Sequence, residues 1–388
     1  MQMDAQKLVF LGRLAGGVAV MVAVAWIAGL VREITAPGYG GQALDVDFAV
    51  FWGAAKLTLA EGPLVPFDID RLNQARGLPA NLETFPMLWL YPPGWLAVLL
   101  PLGALPFIWA WVAFAGASFA LFAAALRLPA RAIPGLWPLM LAAPVVLLTL
   151  ALGQTSLIFA GLLVLALEAI RRDRPILAGL AIAAMTLKPQ LGLAIPVALL
   201  AGGYWRVVLW ASLGTVAILA ASLIWPGLDY WSHFFTAMEE SVGHMRASLL
   251  PAMMVTTYGL GTTLGLEHGP ALTVQIACSL LSAAALGWLW ASRAGFDLKA
   301  AGLALAVLLV TPYAIYYELV FAIAALVYLA RAGALASRSA QGLAALIWLA
   351  PVLGFLLLWG PGFFFAAPLV ALAFALTLSA ARLRPALT

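Results

Sequence analysis

From Leu8 to Leu30 the chain runs for 23 residues with a single charge, Arg13. A helix rises 1.5 Å per residue, so about 20 apolar residues cover the ~30 Å hydrocarbon core of a bilayer. This segment meets that length. It is also too long for the apolar region of a cleavable signal peptide. Eleven further apolar stretches follow it. The candidate spans are about 9–30, 105–126, 136–152, 156–170, 175–188, 191–203, 207–224, 271–291, 300–314, 318–330, 342–359 and 366–381. The pattern explains a chain of 388 residues that is 65% hydrophobic and 9% charged, where soluble domains are about half apolar. In lipid each backbone polar group must find its partner within the protein, which restricts spanning segments to helices or closed barrels. The expectation is an all-α polytopic membrane protein with about twelve transmembrane helices.

Other classes fall away on composition. The single cysteine, Cys278, excludes a disulfide framework and a cysteine-based zinc site. The three histidines, His233, His244 and His268, lack metal-ligand spacing, and no metal or cofactor is expected. Basic residues are scattered along short loops, with Arg171, Arg172 and Arg174 the one denser run, which argues against nucleic acid. No phosphate-cradling or dinucleotide-binding glycine loop occurs.

Those scattered charges set the topology. With the N-terminus in the cytoplasm and each span crossing once, 14 of the 20 Lys and Arg fall inside, with only 4 of the 16 acids. This satisfies the positive-inside rule. It places both termini in the cytoplasm and two large loops, about 31–104 and 225–270, on the outer face. The segment "YPPGWLAVLLPLGALPF" (91–107) is apolar, but counting it as a crossing inverts everything after it. Its four prolines bracket a piece too short to span, so it reads as a surface-lying or re-entrant helix. Three regions follow: 1–224, 225–270 and 271–388.

Ionisable and polar residues near the outer ends of the spans are the candidates for chemistry. In "ALDVDFAVFWGAAK" (43–56), Asp47 stands at the start of a helical pattern beside Asp45. It reads as a helix cap and, compatibly with that, as a general base where low dielectric raises basicity. Lys188, in "LAGLAIAAMTLKPQLG", ends an apolar run and is followed by Pro189 and Gln190. It can snorkel to the interface or bind a phosphate as a point charge. Arg246, near His244, offers a second cation. Gln154, in "LALGQTSLIF", supplies a donor and an acceptor suited to a sugar hydroxyl. Glu318, in "VTPYAIYYELVF", is flanked by Tyr313, Tyr316 and Tyr317. A carboxylate among aromatic rings suits a carbohydrate, as does Tyr91.

The order of these motifs resembles glycosyltransferase family 87, within the GT-C superfamily that includes polyprenol-phosphate-mannose-dependent mannosyltransferases. An Asp-Phe pair follows the first span. A "Gly-Pro-x-x-x-Phe-Asp" turn comes next at 62–68, then "FPMLWLYPPGWLAVLLPLGALPF", "GQTSLI", the Lys-Pro segment and "TPYAIYYELV". The resemblance covers about residues 8–330. It implies a GT-C fold with a seven-helix core and juxtamembrane helices in the first outer loop. It implies inverting transfer of a sugar, mannose first, from a polyprenyl-phosphate donor to the hydroxyl of a glycan or glycolipid acceptor. The implied setting is the outer face of a bacterial inner membrane, with membrane lipids as surroundings. Asp47 maps onto the family's catalytic base. Lys188, with Arg246, is expected at the donor phosphate. Asp45, Tyr91, Gln154, Gln190, His244, Tyr316, Tyr317 and Glu318 are expected around sugar and acceptor. Where some such mannosyltransferases carry a histidine after the late Ser/Thr-Pro, this chain has Tyr316-Tyr317-Glu318. The alternative from another class is a transporter or flippase of a lipid-linked saccharide. That class favours inverted repeats and midplane polar residues; no repeat is visible, and the acids gather on one face.

Overall fold

Proline interrupts two of the apolar segments of this chain, at Pro144 and Pro189. The computed structural model describes residues 5–34, 46–76, 88–246, 250–357 and 362–383. The first apolar run forms α1 (Ala5–Ile34). The region after it carries α2 (Phe48–Glu61), α3 (Ile69–Ala75) and α4 (Pro93–Gly103). Next come α5 (Phe107–Ala130), α6 (Leu136–Leu141), α7 (Pro144–Leu152), α8 (Ser156–Arg171), α9 (Pro175–Met185), α10 (Ile195–Ala201) and α11 (Trp205–Ile224). The stretch read as a second outer loop is helical: α12 (Leu228–Arg246), α13 (Leu250–Met253) and α14 (Thr257–Thr263). The chain closes with α15 (His268–Ala291), α16 (Phe296–Val310), α17 (Val320–Arg331), α18 (Arg338–Leu356) and α19 (Ala366–Leu383). No strand forms among the described residues; the only β contact there is a bridge between Met254 and Ile315.

Among the described residues five helices, α5, α11, α15, α18 and α19, are long and apolar enough to cross a bilayer. The protein is therefore an all-helical, polytopic membrane protein. Several expected spans are not single long helices. The 136–152 span is α6 and α7, divided at Pro144. Its fixed φ and missing N–H stop the first helix, and Ala143 before it is extended at ψ 136°. The 175–188 span yields an α9 of 11 residues, about 16 Å long. Its last turn tightens into i to i+3 bonds: Thr186 N–H to Ala183 O, Leu187 N–H to Ala184 O and Lys188 N–H to Met185 O. Lys188, the residue before Pro189, leaves the helical region at φ −138°, ψ 75°. α4 also has 11 residues, too few to span, as its prolines imply.

The core of the bundle is α16 and α17. Ala300–Leu309 and Val320–Leu329 are buried without interruption. Helices that are apolar on every side belong in such a centre. α17 packs on α16, which also meets α15 and α19, while α8 lies between α5 and α9. α11 lies on the outside and leaves Leu209, Leu213, Val216, Leu219 and Leu223 exposed, a surface for lipid tails.

Small residues set the close approach of α9 and α11, as expected where lipid offers no hydrophobic drive for helix pairing. A Cβ built on Gly179 falls 2.4 Å from Trp210 Cβ and 2.7 Å from Ala211 N, and one on Gly214 falls 2.6 Å from Ala183 Cβ. Gly116, by contrast, has open space around it. Gly179→Leu is expected to cost about 1–3 kcal/mol through overpacking, seen as a lower unfolding temperature in detergent. Gly116→Leu is expected to leave that temperature unchanged.

Candidate functional site

The site is assembled by one turn, between α7 and α8. Gly153 ends α7 in the left-handed conformation, φ 65°, ψ 39°. Its N–H reaches Leu150 O at 3.1 Å, and that of Gln154 reaches Thr149 O at 3.0 Å. This pair of bonds is the Schellman closure of a helix C-terminus. A Cβ at position 153 would stand 2.5 Å from Phe48 Cβ and 3.0 Å from the Trp111 ring. Conformation and contact both require glycine here, and the contact brings the start of α2 against the turn.

The next three residues each engage a different ionisable group. Gln154 Nε2 donates to Asp47 Oδ2 at 2.7 Å, while its Oε1 accepts from the Thr155 N–H at 3.3 Å. Both ends of the amide are thereby fixed, with its nitrogen towards the carboxylate. Thr155 Oγ1 accepts from Lys188 Nζ at 3.2 Å. Ser156 Oγ donates to Glu318 Oε1 at 3.3 Å. Lys188 and Glu318 complete the arrangement with an ion pair of 2.6 Å.

That pair is deeply buried: Lys188 is 5% exposed and Glu318 2%. Lys188 therefore does not snorkel. Its third neighbour is the Tyr317 ring, with Nζ 5.5 Å from the centroid. Glu318 uses its other oxygen to accept the Ile315 N–H at 2.6 Å, which holds the short 3₁₀ turn Tyr316–Leu319. A buried charge persists only when paired and hydrogen-bonded, and three donors on one carboxylate meet that condition. Asp47 stands at the N-cap position of α2 but makes no side-chain cap bond. The capping reading fails because its carboxylate turns to Gln154 instead.

Four tyrosines surround the two carboxylates. Burial first, then the negative charge of Glu318, push the phenols of Tyr91 and Tyr317 above their ordinary pKa, and Asp47 adds to each. At Tyr316 burial again leads, followed by Asp47 and then Glu318. The phenols stay neutral O–H donors, and both carboxylates act on the same set of rings. Tyr91 packs against Phe51 at 5.0 Å and Trp89 at 5.3 Å. Tyr316 is stacked on Phe363 at 5.0 Å.

The structure thus brings together Asp47, Tyr91, Gln154, Lys188, Tyr316, Tyr317 and Glu318. Gln190 lies in the turn after Lys188, half-buried. Asp45 is outside the described residues. His244 and Arg246 fall at the end of α12, with side chains outside those described. Sequence reasoning missed Thr155 and Ser156, although both stood in the quoted "GQTSLI". It also missed Tyr230, which accepts from Trp89 Nε1 at 2.6 Å and donates to the Tyr91 carbonyl at 2.9 Å. A tyrosine in an exposed-looking segment gave no signal of that role.

The model of the family described as Glycosyltransferase family 87 matches residues 89–312, more than half of the chain. The chain belongs to glycosyltransferase family 87. It is accordingly a membrane glycosyltransferase. The match takes in Gln154, Thr155, Ser156 and Lys188, while Asp47 and Glu318 lie on either side of it. No curated protein and no solved structure matches the chain.

Replacing Lys188 by Met strands a buried carboxylate, which is expected to destabilise by about 3–5 kcal/mol. Adding Glu318→Leu removes the stranded charge and is expected to recover most of that loss. Unfolding temperatures of the two single variants and the double variant check this. Simple additivity would reject the pairing.

Proposed function

We propose that this glycosyltransferase inverts configuration while moving a sugar, mannose first, from a polyprenyl phosphate to an acceptor hydroxyl. The acceptor is a glycan or a glycolipid, and the reaction takes place at the outer face of a bacterial inner membrane in a GT-C fold. The reading rests on one observation. Consecutive residues of one turn, Gln154 and Thr155, hold a carboxylate at position 47 and a cation at position 188.

Such a transfer needs a base for the incoming hydroxyl and a cation for the departing phosphate. Asp47 takes the proton of the acceptor O–H. The acceptor oxygen then forms a bond to the anomeric carbon as the bond from that carbon to the phosphate oxygen breaks. The electron pair leaves on the phosphate, beside Lys188. An ammonium has three N–H donors. Glu318 and Thr155 take two of them, and the third serves the phosphate. Gln154 orients Asp47, and the neutral tyrosines supply O–H donors and ring faces for the sugar. A pre-activated lipid phosphate needs no nucleotide and no cofactor for this step.

The test is purified protein with a panel of polyprenyl-phosphate sugars, reading release of free polyprenyl phosphate. Asp47→Asn is expected to lower turnover by roughly 10²–10⁴-fold with donor binding retained. Near-normal turnover would remove Asp47 as the base. For the orientation, Asp70→Cys and Asp173→Cys are introduced singly into a Cys278→Ser background. A membrane-impermeant thiol reagent on intact cells is expected to label position 70 only, both residues being exposed. The reverse pattern would overturn the topology.

A further inference from the structure

At the far end of the helices that carry the site lies a second cluster of charge. α8 begins at Ser156 and ends at Arg171, about 24 Å away. α17 begins just after Glu318 and ends at Arg331. There, a pocket of about 620 Å³ is lined by Leu128, Ala132, Glu168 and four arginines: Arg131, Arg171, Arg172 and Arg331. It is an open cleft rather than an enclosed cavity.

Part of this cluster is an internal staple. Glu168, 1% exposed, accepts from Arg171 Nε at 3.1 Å and from Tyr328 OH at 3.3 Å, and its second oxygen pairs with Arg172 Nη2 at 3.1 Å. Asp297 pairs with Arg171 and, at 3.0 Å, with Arg331. Arg331 also donates to Pro129 O at 3.0 Å, tying α17 to α5. A staple explains Arg171, Arg331 and the two carboxylates. Arg172 joins it, with Nη1 also donating to the Glu168 carbonyl at 3.0 Å, whereas Arg131, exposed on the rim, stands outside it. Among the described residues Arg131 makes no ion pair, and the four guanidiniums outnumber Glu168 and Asp297 by two.

We propose that this cleft binds a phosphate-bearing anion. A phosphate dianion cancels the surplus charge. Guanidinium groups match its oxygens in bidentate fashion. Basic pockets between helices at the positively charged end of a membrane bundle suit either a lipid headgroup or a soluble phosphate. The apolar rim of Leu128 and Ala132 accommodates either source. This site is separate from Asp47 and Lys188, and its reading does not depend on theirs.

The test uses the full-length protein in phosphatidylcholine nanodiscs. One arm titrates inorganic phosphate and reads heat or unfolding temperature. The other dopes the discs with phosphatidylglycerol and counts retained lipid by native mass spectrometry. Saturable binding of phosphate identifies the soluble source, and retention of phosphatidylglycerol alone identifies the headgroup. Either binding is expected to weaken roughly tenfold or more in Arg131→Ala and in Arg172→Gln, each of which removes charge-assisted hydrogen bonds. If Arg172→Gln does not fold, Arg131→Ala, at an exposed position, decides alone. The proposal is overturned if neither probe binds the unaltered protein saturably, or if Arg131→Ala binds as the unaltered protein does.

Discussion

A lysine and a glutamate, both nearly sealed from solvent, face each other at 2.6 Å in a chain where only 9% of residues are charged. Neither can exist as an ion there without the other and without further hydrogen bonds. The rest of the site follows from satisfying them. Thr155 and Ser156 supply oxygens at the start of α8, the Ile315 N–H caps the second glutamate oxygen, and the Tyr317 ring lies beside the ammonium. The pair also joins distant stretches of sequence, since Lys188 and Glu318 are 130 residues apart. It locks the broken end of α9 to the entry of α17.

Breaks in the helices make this possible. Pro189, Pro312 and Gly153 interrupt apolar segments near one level of the bundle, and each break frees backbone groups that lipid cannot satisfy. The protein answers each locally. After α9 the chain tightens into 3₁₀ bonds. Beyond α16, Gln275 donates to the carbonyls of Leu309 at 3.1 Å and Thr311 at 3.3 Å. After α7 the Schellman turn closes the helix. The polar residues of the site are the neighbours of these breaks, so cost and function share a location.

Much of this was legible in the sequence, because apolar runs and the polar residues that interrupt them are visible in one dimension. The long helices, the short α4 and the candidacy of Asp47, Gln154, Lys188 and Glu318 all came from that contrast. The pairing of those residues was not legible. Asp47 looked like a cap because its place at the start of α2 is that of one, and only the fold brings Gln154, 107 residues on, within reach. Thr155 and Ser156 resemble any helix start. The charge count places the 225–270 region as a connection on the outer face, which says nothing of its secondary structure, and α12 to α14 fill most of its described part.

The turn at Gly153 has a further consequence. The oxygens or amide that hold the carboxylate, the ammonium and the glutamate are borne by three adjacent residues on a single rigid segment. A tilt or slide of α8 therefore displaces all three contacts at once, and none can be adjusted alone. These contacts behave as one mechanical unit whose alignment is inherited from the seating of a single helix.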